Sequence, residues 1–107
     1  MNHITEFFWS VAQPFLEVEG IERSTMMGFP CLRVNGQVFA SCEPKTGNLL
    51  IKLPAPEVSR MVEAGDGMSF SPAGKTFKEW VMISERHVGK WGALMESARV
   101  FVASSGK

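Results

Sequence analysis

"RVNGQVFASCEPKTGNLLIKLP", residues 33–54, turns the chain twice in quick succession. Asn35-Gly36 lies between two apolar runs, and that dipeptide favours a two-residue hairpin because a type I′ turn needs positive φ at both central positions. "QVFASC" (37–42) then returns as a strand beside "CLRV" (31–34). "EPKTGN" (43–48) turns the chain again, and "LLIKL" (49–53) makes the next strand. An antiparallel meander is the seed of the fold, and the flanking sequence has to cover it.

Upstream, Ile4, Phe7, Phe8, Val11, Ala12 and Phe15 recur at helical spacing, so residues 2–17 read as an amphipathic helix capped by Asn2. Pro14 has no amide hydrogen and should kink or divide this helix, opening a short second turn. "GIERSTMM" (20–27) reads as the first strand, stopped or bent at Gly28 and Pro30. Downstream, Pro54 and Pro56 open a helix whose stripe is Val58, Met61 and Val62, with Glu57 and Arg60 facing water and Gly65 closing it. "GMSFSP" (67–72) and "KEWVMIS" (78–84) are two further strands around the loop "AGKTF" (73–77). In the last helix Val88, Trp91, Met95, Ala98 and Val102 share one side, Leu94 and Phe101 broaden it, and Arg86, Lys90 and Ser97 lie opposite. The expected order is α-β-β-β-β-α-β-β-α. That order is an α+β two-layer domain, with an antiparallel meander sheet of about five to six strands carrying helices on one face.

The composition fits one domain over residues 1–107: 45% of residues are hydrophobic and 21% charged. Eight Phe, three Trp and seven Met provide bulk for a core without disulfides or metals, and the lack of Tyr excludes tyrosine chemistry. Eleven basic residues balance eleven acidic ones, which argues against a strong, sequence-blind grip on nucleic acid. The balance is uneven along the chain. Residues 1–22 hold Glu6, Glu17, Glu19 and Glu22 and no Lys or Arg, leaving eleven basic against seven acidic residues in the remainder. With no signal-type N-terminus and no run of roughly 18 apolar residues, the expectation is a cytoplasmic protein without membrane association. Cys31 and Cys42, in strand-like sequence, are expected to be reduced thiols in or near the core.

Motifs for chemistry are sparse. His3, His87, Cys31 and Cys42 lack the short paired spacings of a zinc site, and no cofactor is expected. Gly74 to Thr76 looks like the end of a phosphate-binding loop, but Ser69 occupies the position of the required upstream glycine and a strand follows. Glu43, Glu57 and Glu79 do not stand out from surface acids. Cys31, just after a bend, is the one candidate nucleophile, and packing is the simpler reading of it. Lys75, Lys78, Arg86, His87 and Lys90 form the densest basic segment, with Trp80 and Trp91 interleaved. Cations of this kind contact phosphates and aromatic rings stack on exposed bases, although Trp91 also falls on the apolar stripe of the last helix.

The stretch "STMMGFPCLRVNGQVFASCEPKTGNLLIKLP" (24–54) resembles the family of the TfoX N-terminal domain and the related YjbR (MmcQ) proteins. The resemblance is carried by Met26-Met27-Gly28-Phe29, by Gly36 to Ala40, and by Leu49 to Leu53 with Lys52. Farther on, "FKEWVMI" and "WGALMESARVFV" are similar to the family's late Trp-bearing strand and closing helix, so the likeness spans about residues 20–103. It implies a compact α+β fold with a meandering sheet, and the family names imply DNA binding and competence regulation. Met27 stands where many members have Phe, full TfoX-type regulators carry a second, C-terminal domain, and no family catalytic residue maps onto this chain.

The expectation is therefore a small non-enzymatic binding or regulatory module for a macromolecular partner, either protein or weakly bound DNA. Lys52, Lys75, Lys78, Arg86 and Lys90 are its candidate partner-binding residues, and a homodimer through a sheet edge or helix is one form it could take. The alternatives are a pure protein-interaction adaptor and, ranked behind, a small-molecule binder or thiol-dependent protein using Cys31.

Overall fold

The computed structural model describes residues 6–26, 28–43, 46–71, 74–84 and 89–105. Helix α1 (Glu6–Ala12) passes into a 3-10 turn, Gln13–Glu17, at Pro14. The proline divides the helix as expected, because it cannot donate to the preceding turn. Strands β1 (Ile21–Met26), β2 (Phe29–Val34), β3 (Gln37–Cys42) and β4 (Leu49–Lys52) follow, then helix α2 (Ala55–Ala64), strands β5 (Met68–Phe70) and β6 (Phe77–Ile83), and helix α3 (Trp91–Ser105). Asn2, Arg86, His87 and Val88 lie outside the described residues.

The strands form one antiparallel sheet in the order β1-β2-β3-β4-β6-β5. The first four make the expected meander. The chain then crosses through α2 and returns as a hairpin whose second strand, β6, pairs with β4. At the β2–β3 turn Asn35 and Gly36 have φ of 53° and 86°, both positive as a type I′ hairpin requires. The first strand ends at Met26, before Gly28, as expected, but β2 begins at Phe29 rather than at Cys31, so Pro30 lies opposite Thr25 within the ladder. A proline near a strand start costs the ladder one donor but keeps its acceptor, and the Pro30 carbonyl accepts a hydrogen bond from Ser41 Oγ at 2.9 Å.

The helices pack on one face of the sheet. Alternation along β4 and β6 turns Leu49, Ile51, Val81 and Ile83 toward the helices, where they meet Phe8 of α1, Val58 and Met61 of α2, and Trp91, Met95 and Ala98 of α3 in one cluster. A bulge between Leu32 and Arg33 leaves Phe39 as an extra residue on β3, and both Phe39 and Ala40 become fully buried. On the opposite face a cross-strand row runs Cys31, Ser41, Leu50, Met82, Met68. Its first three members are fully buried, whereas Met68 at the β5 edge is 42% exposed. The sheet is thus sealed at its centre and open at its β5–β6 flank.

Candidate functional site

The flank owes its shape to how α2 meets β6. The helix starts at Pro54 without a side-chain cap and ends at Gly65, whose left-handed conformation (φ 81°) returns the chain toward the sheet. At Gly67 the backbone runs so close to β6 that a Cβ there would lie 2.5 Å from Val81 Cγ2. Only a glycine lets the chain pass there without displacing a stiff, β-branched neighbour. Val58 and Met61 are consequently drawn into the core, while Val62 is only half-buried and Ser59 and Glu63 are exposed.

Between that outer side of α2 and the start of β6 lies a groove of about 460 Å³, whose lining includes Val58, Val62, Phe77, Lys78 and Trp80. A second concavity of about 290 Å³ shares Thr76, Phe77, Lys78 and Trp80 with it and adds Lys52, Lys75 and Glu79. The shared residues make the two continuous. Lys52 and Trp80 stand opposite each other in the β4–β6 ladder, so the cation from one strand and the indole from the next are placed side by side by the register alone. Phe77 is held edge-on against Phe70, with ring centroids 5.5 Å apart, and Lys75 Nζ lies 5.6 Å from the Phe77 ring centroid.

The described arginines are engaged elsewhere. Arg60 pairs with Glu57 on α2, and Arg99 pairs with Glu96 on α3. Each pairing raises its guanidinium, and the Arg99 hydrogen bond lowers Glu96. Arg33 donates from Nε to Ser24 Oγ and from Nη1 to the Gly36 carbonyl, each at 3.0 Å, and Arg23 lies 4.3 Å over the Trp9 ring. Lys52 Nζ reaches Glu79 Oε1 at 3.9 Å, a long contact between partly exposed groups that holds little energy. Lys78 has no ion-pair partner among the described residues. The groove therefore gathers cations that are weakly committed within the fold.

Of the sequence candidates, Lys52, Lys75 and Lys78 come together here. Lys90 does not join them. It lies on the other side of α2, at a smaller hollow of about 130 Å³ with Glu57, Asp66 and Leu94. Arg86 lies outside the described residues. Sequence reasoning missed the α2 wall, because Val58 and Val62 read only as core, and it missed Phe77, although the alternation of cation and ring in "KTFKEW" carried the signal. The two tryptophans of the basic segment separate: Trp91 is fully buried and donates from Nε1 to the Ser84 carbonyl at 3.2 Å, while Trp80 is half-buried in the groove wall.

Both cysteines are free and buried. Burial pushes the Cys31 thiol above its ordinary value, opposed more weakly by the Arg33 charge and a hydrogen bond with Ser24. Burial, reinforced by Glu43, pushes Cys42 up to about 12. An activated thiolate needs the reverse, a lowered value at an accessible position. Among the described residues no group of three or more His, Cys, Asp and Glu side chains is placed to hold a metal ion. Nor is any helix there long and apolar enough to cross a membrane. No protein-family model, no curated protein and no solved structure matches the chain.

Proposed function

We propose that the protein is a small, non-enzymatic binding or regulatory module of the cytoplasm that engages a polyanionic macromolecule, DNA first among the candidates. The observation that carries this reading is the convergence of Lys52, Lys75 and Lys78 around Phe77 and Trp80 on one concave surface. Cations left without strong internal partners gain most from meeting phosphates, and each phosphate neutralised releases counterions from the nucleic acid. The motif resemblance to TfoX N-terminal and YjbR-like proteins points the same way, and two buried, reduced thiols suit a reducing compartment. The formal net charge of zero fits a modest, salt-sensitive affinity.

The test is fluorescence anisotropy with a mixed-sequence DNA duplex at low salt and then across a salt series. Micromolar binding that weakens steeply with salt, and that is lost when Lys75 and Lys78 are both changed to Glu, supports the reading. Unchanged affinity in that double variant removes the lysine surface from consideration.

A second reading, a protein-interaction adaptor, is favoured by the apolar wall that Val58, Val62 and Phe77 give the larger concavity. A stoichiometric protein partner recovered from nuclease-treated lysate, and lost on Val62→Glu, would favour it over nucleic acid.

A further inference from the structure

The joined concavities are more than a basic patch, because Phe77 and Trp80 line both and Lys52, Lys75 and Lys78 gather at the smaller one. Trp80 is half-buried and lines both concavities. Its indole N–H has no hydrogen-bond partner among the described residues, whereas the fully buried Trp91 has one. Lys78, two residues away on the same strand, lines both concavities together with Trp80. Lys52 is directly across the ladder from Trp80, and Lys75 lies over the neighbouring Phe77 ring. The result is a tryptophan with cations from β4, from β6 and from the turn before β6 around it.

That arrangement discriminates between forms of nucleic acid. In a duplex the base faces are stacked on one another and the phosphates lie outside, so a half-buried aromatic ring at the protein surface has nothing to stack on. A duplex reader also needs an element that can enter a groove with its cations outward. Among the described residues neither longer helix offers one, since the arginines Arg60 of α2 and Arg99 of α3 are both held in pairs within their own helices. A single strand has exposed base faces and a flexible backbone, and it is bound by rings that stack while cations follow the phosphates. Charge complementarity selects the same occupant: at the smaller concavity Lys75 and Lys78 have no acidic partner among the described residues and Glu79 is already next to Lys52, while Glu63 lines only the α2 side of the larger one.

Resting on the reading proposed above, we infer that this groove takes a short single-stranded segment of DNA or RNA, with one base stacked on Trp80 and the adjoining phosphates on Lys78, Lys75 and Lys52. Recognition is by stacking and charge, so it tolerates many sequences.

The experiment compares a fluorescein-labelled oligothymidylate of about ten nucleotides with a duplex of equal length, both at low salt, on the full chain. The single strand is expected to bind the more tightly. Trp80→Leu should weaken it by about 5- to 100-fold while leaving duplex affinity nearly unchanged. Trp80→Phe should restore most of the loss, because any aromatic face stacks, and a thermal melt of each variant separates lost binding from lost folding. Equal or tighter duplex binding, or a Trp80→Leu variant that binds oligothymidylate as wild type does, overturns the single-strand assignment. Lysine-dependent duplex binding in the same data would still leave the broader reading standing. If neither probe binds at low salt, both are overturned, and the adaptor reading takes their place.

Discussion

The two tryptophans closest in sequence to the basic segment, Trp80 and Trp91, show how differently the two ends of this sheet are built. Beneath α3 the sheet is closed: Trp91, Phe39, Leu49 and Ile51 have no exposed surface, and the Trp91 indole is satisfied by the Ser84 carbonyl. Beside α2, at the start of β6, it is open: Trp80 and Phe77 are half-buried, and Lys52, Lys75 and Lys78 line the same concavity. A buried ring with its donor satisfied contributes to folding, and a ring left at a groove wall is available to a partner. The centre of the domain is where its core is closed, and the β5–β6 flank is where we propose that it meets a partner.

The contrast can be broken most decisively at Trp91. Trp91→Ala should cost about 3–5 kcal/mol of stability in urea unfolding, because it empties the largest site in the core and leaves the Ser84 carbonyl without this donor. Little loss would mean the α3 side is not closed as described. Gly67→Ala comes next, at about 1–3 kcal/mol, because its Cβ would collide with Val81 where the chain leaves α2 for the sheet. A neutral Gly67→Ala would show that the α2 docking is loose.

Alkaline pH tests whether the centre is dry. Below the ordinary thiol value of 9.0 both folded and unfolded chains keep the Cys42 proton. Above it the unfolded chain releases that proton while the folded chain retains it toward about 12, so stability falls as pH rises through this window. The unfolding free energy from urea titrations should decline between roughly pH 9 and 10, by up to about 1.4 kcal/mol per pH unit for this thiol, with Cys31 adding in the same sense. A flat profile would mean that water reaches Cys42. The smallest effect belongs to the flank: Trp80→Ala should change stability by less than about 1.5 kcal/mol, far below Trp91→Ala, since its ring is already partly solvated. A larger loss would make Trp80 a core residue and close the distinction.

Much of this division can be traced to local signals. The Asn35-Gly36 hairpin, the split of the first helix at Pro14 and the α3 stripe from Trp91 to Val102 each follow from short-range rules of φ, donor count and period. Pro30 misled because a proline at the start of a strand reads like one that ends it. The groove was less legible for a different reason. Whether Val62 is core or wall depends on how far α2 stands off from β6, and that distance is set by Gly67 against Val81, a long-range contact with no local pattern. The pairing of Lys52 with Trp80 likewise depends on β6 inserting beside β4, which a strictly sequential meander would not predict.

The most direct test of the division is a titration of isotopically labelled protein with the oligothymidylate, followed by amide chemical shifts. The account predicts that shift changes concentrate on Lys75 to Trp80, Lys52 and the outer side of α2 around Val58 to Val62, with Trp91 and the α3 stripe unmoved. Changes centred on α1, on the β1 edge or on α3, with the β6 groove silent, would contradict it.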